Sequence, residues 1–164
     1  MRLKEIIRAP KSDIKIGEKW HVGKVPRADF PMARAAYGIG LSYKWNIITF
    51  RALGAECRVL VVTNERKQKY EAVLGVMSPT GQQLRILCTY EYHPSEPGWH
   101  CHATHDDSDT LTQGAMRGPW IQRVPTAGAR HRPSRHHTVT IGDEREAIRL
   151  AIKRYRIEPK GTLL

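Results

Sequence analysis

At 164 residues, 40% of them hydrophobic, the chain is long enough for one sizeable core, and we expect a single domain over residues 1–164. No apolar run is long enough for a membrane span, and the start MRLKEIIRAPKSDIKIGEKW is too charged for a signal peptide, so we predict a cytoplasmic protein with no membrane partner. Three cysteines at unrelated spacings exclude a disulfide framework and a Cys-x-x-Cys metal site.

The net charge of +11 comes from the two ends of the chain. Residues 1–27 hold eight Lys and Arg against three acids, residues 28–122 hold nine of each, and residues 123–164 hold ten against four. We therefore regard residues 1–28 as a basic N-terminal segment. Basic termini of this kind favour a solvated surface, an acidic protein partner or nucleic acid, and charge alone does not separate the three.

The first predicted element is a short helix in ADFPMARAAYGIG, with Asp29 as its cap, Pro31 near its first position and Gly38 as its stop. Four strands follow, separated by short polar turns. Short turns join antiparallel neighbours, because parallel strands need a crossover connection. The fold class is therefore α+β, with an antiparallel four-stranded meander in the segments KWNIITFRAL, CRVLVVTN, QKYEAVLGVM and QLRILCTYEYH.

The C-terminal part begins with an irregular stretch. Residues 107–135 are rich in Pro, Gly, Arg and His, and we expect a long mobile loop there. Residues 143–157 have helical periodicity, and Asp143 is well placed to accept hydrogen bonds from the first turn. This C-terminal helix is expected to pack one face on the sheet.

Chemistry-bearing side chains concentrate in TYEYHPSEPGWHCHATHDD, residues 89–107. If this segment forms two strands joined by a turn at PSEPG, alternation places His100 and His102 on one face. Tyr92 and Tyr90 are then their cross-strand partners on the same face of the neighbouring strand. Two histidines spaced in this way are able to bind one metal ion.

The metal interpretation adds His105 and Asp106 as ligands beside His100 and His102. It predicts a His-based phosphodiesterase or nuclease, with or without a metal, acting on nucleic acid or nucleotides. Tyr155 on the last helix is the candidate nucleophile of such a nuclease.

The same segment has a second interpretation. Thr89-x-x-Tyr92-His93-Pro94, followed by Gly98-x-x-Cys101, resembles the active-site segment of ubiquitin-conjugating enzymes, in which a meander ends in a His-Pro turn and a Gly-x-x-Cys follows. The resemblance covers roughly residues 29–120 and suggests a divergent, bacterial member of that fold. It implies a ubiquitin-like-protein transferase without a cofactor. Its partners would be a ubiquitin-activating-type adenylating enzyme and a ubiquitin-like protein.

The resemblance also implies roles for individual residues. Cys101 would carry the modifier as a thioester in an exposed groove, with His100 and His102 beside it to favour the thiolate or to deprotonate the incoming amine. His93 would hold the loop over the cysteine. The residues expected to shape the site are Tyr92, Pro94, Ser95, Gly98 and Trp99, of which Ser95 stands where the family has the asparagine credited with stabilising the oxyanion.

A third interpretation is a non-catalytic module that binds nucleic acid or protein through its basic ends. Cys57 and Cys88 lie in apolar strands and are predicted to be core residues in all three interpretations.

Overall fold

The computed structural model describes residues 2–31, 39–104, 121–124 and 140–158, and for residues 96–98 and 121–124 it describes the backbone path only. These residues form an α+β fold with one antiparallel sheet and two helices. In chain order the elements are α1 (Leu3–Arg8), β1 (Ser12–Ile16), β2 (His21–Val22), β3 (Lys44–Ala52), β4 (Ala55–Asn64), β5 (Lys69–Met77), β6 (Leu84–His93), β7 (Glu96–Thr104), β8 (Ile121–Val124) and α2 (Glu144–Tyr155).

The sheet has eight strands in the order β1-β3-β4-β5-β6-β7-β8, and β2 pairs with β3 on the same edge as β1. The four predicted strands are present as β3 to β6. The four-stranded meander is wrong, because the meander continues through β7 and β8 and the N-terminal segment adds an interrupted edge strand. The predicted loop over residues 107–135 is interrupted by β8, and its other residues lie outside the described part of the chain.

The N-terminal helix is not the predicted one. Helix α1 lies within the basic N-terminal segment and buries Ile6. The ammonium of Lys11 donates to three carbonyl oxygens at the C-terminal end of this helix, at distances of 2.6–3.0 Å. Of the helix predicted from Asp29, residues 32–38 lie outside the described residues. The described residues just before them form a turn in which the amide of Asp29 bonds back to the carbonyl of Pro26.

The predicted C-terminal helix is confirmed as α2. Asp143 accepts from the amides of Arg145 and Glu146, at 2.9 and 3.1 Å, which satisfies two of the unpaired donors of the first turn. Two buried tyrosines fasten this helix to the sheet: the Tyr70 hydroxyl donates to the Ala147 carbonyl at 3.0 Å, and the Tyr155 hydroxyl donates to a carbonyl of β5 at 2.6 Å. No helix in the described ranges has the length and apolar run of a membrane crossing.

Each face of the sheet carries its own hydrophobic cluster. We call the face covered by α2 the helix face; it includes Phe50, Val59 and Leu74. The opposite face, which we call the second face, includes Trp45 and Leu60 among residues packed against Phe30 and Ile39. Since side chains alternate along a strand, the register of each strand pair decides which face a residue reaches.

Candidate metal centre

The hairpin of β6 and β7 carries the residues predicted for the site that lie within the described ranges, except Tyr155, which lies on α2. His93 pairs with Glu96, so the turn consists of Pro94 and Ser95 alone. The prediction of a five-residue turn at PSEPG was wrong, because residues 96–98 already belong to β7. The described position of Gly98 is therefore within a strand.

The two-residue turn and an irregularity between Glu91 and His93 together set the register. Glu91 pairs with His100, and Tyr90 pairs with Cys101. The expectation that His100 and His102 share a face with the tyrosines is therefore wrong. A shift of one residue moves every side chain to the other face, so the histidines join Glu91 on the second face and the cysteine joins the tyrosines on the helix face.

Three imidazoles converge on one carboxylate oxygen. Oε1 of Glu91 lies 2.7 Å from Nε2 of His102, 2.9 Å from Nε2 of His100 and 3.8 Å from Nε2 of His93. The side chains of Glu91, His100 and His102 are 8%, 0% and 6% exposed, whereas that of His93 is 16% exposed. The cluster is therefore closed around His100 and more open toward His93.

Two opposing effects set the charge of Glu91. Burial alone would raise the pKa of its carboxyl, but the contacts with His100 and His102 outweigh burial and hold the pKa well below its usual range. The carboxylate is therefore ionised at neutral pH, which is the state that a metal ligand requires.

His102 is the residue of this cluster whose polar atoms are not satisfied. Its Nε2 is close to Glu91, but the ring N–H does not point along that line, and neither Nδ1 nor Nε2 has a hydrogen-bond partner within the described ranges. Buried polar atoms in native proteins nearly always have a partner. A metal ion coordinated by an imidazole nitrogen would supply one.

His93 has a supporting contact of its own. Its Nδ1 lies 2.8 Å from Oγ of Ser95 in the turn, which orients the ring with Nε2 toward Glu91. A hydrogen bond to one ring nitrogen commonly fixes the tautomer and the direction of the other. Ser95, predicted at the site as a substitute oxyanion donor, contacts His93 in the structure.

The ligand set suits a divalent transition metal. Donor atoms of Glu91, His100 and His102 lie within 4.8 Å of one another, close enough for a single ion after small side-chain adjustments. Two imidazoles and one carboxylate form a known catalytic ligand set for zinc and for non-haem iron. The other two predicted ligands, His105 and Asp106, lie outside the described residues.

Cys101 lies on the helix face and is only 6% exposed, so the expectation of a thiol in an open groove is wrong. Its Sγ accepts a hydrogen bond from Nη2 of Arg154 at 3.2 Å, and the same guanidinium lies 4.7 Å from the centre of the Tyr90 ring. A hydrogen bond with Cys88 and the charge of Arg154 lower the pKa of the Cys101 thiol, against burial, which raises it. Cys57 and Cys88 are core residues, as predicted, with 0% and 1% exposure.

Two aromatic predictions also change. Trp99 does not line a groove at an exposed thiol but packs against Tyr70, Tyr90 and Tyr92, with ring centroids 5.1–5.3 Å away. Tyr155 is completely buried and its hydroxyl donates within the core, which does not fit a nucleophile.

Sequence reasoning missed Glu91. Glu91 is absent from the residues predicted for the site, although a carboxylate between Tyr90 and Tyr92 interrupts an otherwise aromatic stretch. This interruption is the signal in the sequence that Glu91 has a special role, because a carboxylate on a covered face of a sheet needs a charged or hydrogen-bonding partner.

Comparison with known proteins adds no family: neither the protein-family models nor the curated proteins nor the solved structures contain a match to this chain.

Proposed function

We propose that the protein is a metal-dependent phosphodiesterase of the nuclease type, with its ion bound by Glu91, His100 and His102. The observation that carries the proposal is the convergence of histidine Nε2 atoms on one oxygen of Glu91 in a largely buried cluster. A structural zinc site is normally closed by four side chains. In the part of the chain that the structure describes, three side chains offer ligand atoms, and three ligands leave a coordination position for water or a substrate oxygen, which is the arrangement of catalytic sites.

The chemistry follows from this arrangement. A metal ion with an open position lowers the pKa of a bound water and polarises a phosphoryl oxygen. His93, on the more open side and oriented by Ser95, is placed to give a proton to the leaving oxygen. His100 and His102 hold the ion, and Glu91 supplies the negative charge that the ion needs.

The charge of the protein supports a phosphodiester as substrate. Seven of the eight cationic side chains in residues 1–27 are exposed, Lys11 being the buried one. An exposed basic surface attracts polyanions at long range and at low salt. Nucleic acid or a nucleotide is the polyanion that matches both the surface and the proposed reaction.

The test compares three histidines. Metal-stripped protein is titrated with Zn²⁺ and Mn²⁺ by calorimetry, and hydrolysis of single-stranded DNA and of bis(p-nitrophenyl) phosphate is measured. His102→Ala should lose metal and activity. His93→Ala should keep the metal and lose roughly 100-fold or more in kcat. His21→Ala, on the edge strand β2 and stacked on Trp45, is the matched control and should retain both.

Two results would count against the proposal. One is wild-type protein that binds neither ion stoichiometrically. The other is metal-loaded protein that binds DNA in a salt-dependent way but hydrolyses neither substrate, which would favour the non-catalytic module.

A thioester on Cys101 stays a second proposal, with an adenylating enzyme and a ubiquitin-like protein as partners. The Arg154 contact supports it, because a guanidinium stabilises the thiolate that such a transfer needs. The small exposure of the sulfur opposes it, since both partners are proteins. Incubation with activating enzyme, ATP and a modifier should give a thiol-sensitive adduct that Cys101→Ala abolishes; an adduct that survives in this variant would exclude the assignment.

A further inference from the structure

A lysine and a second carboxylate border the cluster on the second face. Glu71 is the cross-strand partner of Glu91, and Nζ of Lys69 lies 2.6 Å from Oε1 of Glu71. Tyr70 pairs with Tyr92 as the last pair of this ladder, and Lys69 and His93 are the next residues on the two strands. Directly paired side chains in such a ladder, as in Glu71 and Glu91, are about 5 Å apart at Cβ.

Exposure differs across this group. The side chain of His100 is 0% exposed, Glu91 8%, Glu71 11%, His93 16% and Lys69 33%. His93 and Lys69 are therefore the most accessible of these side chains, and the ammonium of Lys69 offers a positive charge to a substrate anion.

We propose that Lys69 and the metal ion together form an anion subsite that binds a phosphate group of the substrate, so that phosphate binding depends on metal loading. This rests on the proposed function. The side chains of Glu71, Glu91 and Lys69 together carry one net negative charge, which repels an anion. A divalent ion changes that net charge to one positive, and bound cations are commonly the largest local charges in such sites.

Lys69 already has a partner, and this pairing fits a subsite. Glu71 holds the ammonium in place through one of its oxygens, and an ammonium has three N–H donors. The neighbouring Lys67 is the matched control, because it is exposed in the same segment and lies over the same Tyr43 ring, with its Nζ 5.2 Å from the ring centre against 5.9 Å for Lys69, whereas it is Lys69 that pairs with Glu71.

The experiment titrates inorganic phosphate into metal-stripped and Zn²⁺-loaded full-length protein by calorimetry. Zn²⁺-loaded protein should bind phosphate at least tenfold more tightly than stripped protein. Lys69→Met should weaken phosphate binding by roughly tenfold while Zn²⁺ binding is not weakened, and Lys69→Arg should restore most of the loss. Lys67→Met should change phosphate affinity less than twofold. Glu71→Gln should tighten it, because one negative charge is removed.

The KM and kcat of bis(p-nitrophenyl) phosphate provide a second readout, in which Lys69→Met should raise KM more than it lowers kcat. The outcomes separate the two proposals. No Zn²⁺ binding by wild-type protein would overturn both. Zn²⁺ binding and hydrolysis, with phosphate affinity equal in Lys69→Met and Lys67→Met or independent of the metal, would overturn the anion subsite alone.

Discussion

Replacing Glu91 with glutamine removes one charge from the cluster and nearly preserves the shape of the side chain. In metal-free protein the carboxylate accepts an aligned hydrogen bond from His100 at 2.9 Å and contacts His102 at 2.7 Å. Glutamine still offers an oxygen, so the change weakens these contacts and does not abolish them.

The magnitude follows from those two contacts. A hydrogen bond to an ionised group contributes about 1.5–3 kcal/mol, roughly twice that of a neutral one. Halving the His100 bond therefore costs about 1 kcal/mol, and loss of the buried charge contact with His102 adds a similar amount. Glu91→Gln should lower the free energy of unfolding by about 2 kcal/mol and Tm by about 4–8 °C for a chain of this size. Zn²⁺ affinity should fall roughly 100-fold or more, because an anionic ligand is lost.

Urea unfolding followed by circular dichroism measures the first effect, and calorimetric Zn²⁺ titration measures the second. Glu56→Gln is the matched control, since its ion pair with Arg58 is partly exposed and such pairs contribute about 1 kcal/mol or less. Glu91→Gln protein with the stability of wild type and a Zn²⁺ affinity within threefold of it would refute the reasoning about the cluster.

Three further predictions concern the helix face. Burial raises the pKa of Cys57 from 9.0 to about 11, so the fold favours the neutral thiol. The stability that this residue contributes is present below pH 9 and is lost as pH rises toward 11, by about 2–3 kcal/mol. Cys57→Ala should remove this alkaline loss, which urea unfolding at a series of pH values measures. Tyr155→Phe leaves the buried Ala72 carbonyl without its 2.6 Å donor and should cost about 1–3 kcal/mol in the same assay; an unchanged midpoint would contradict the bond. Cys101→Ala should leave Zn²⁺ affinity within about threefold, since the sulfur lies on the face opposite the ligands; a complete loss of metal would argue against the assigned register.

The central strands and the last helix were predictable because their signals are local. Strands β3 to β6 are apolar segments between short polar turns, and α2 begins at Asp143, whose capping contacts the sequence already indicated. Helix α1 was missed because six residues give less than two turns of periodicity. The start of β7 was placed too late because Pro97 and Gly98 are typical of turns, and here they belong to the strand that follows a two-residue turn.

The candidate site was partly predictable for the same reason. His93, His100 and His102 stand out in the sequence by composition, and the structure brings them together. Their partner Glu91 depends on the register of the hairpin, which is set by the two-residue turn together with the irregularity between Glu91 and His93. Neither feature has a local signal in the sequence, because Pro97 and Gly98 are equally typical of a longer turn.

The register of β7 connects the metal ligands on the second face with the core packing on the helix face. Cys101 lies between His100 and His102, so the backbone that aims both imidazoles at Glu91 is the backbone that places the sulfur under α2. On the helix face that position is fixed by the Arg154 hydrogen bond at 3.2 Å and by close packing in the core. Cys101 is only 6% exposed, so a larger side chain would have to displace its neighbours or the strand. The helix-face packing therefore helps to hold the metal ligands in place, although it touches none of them.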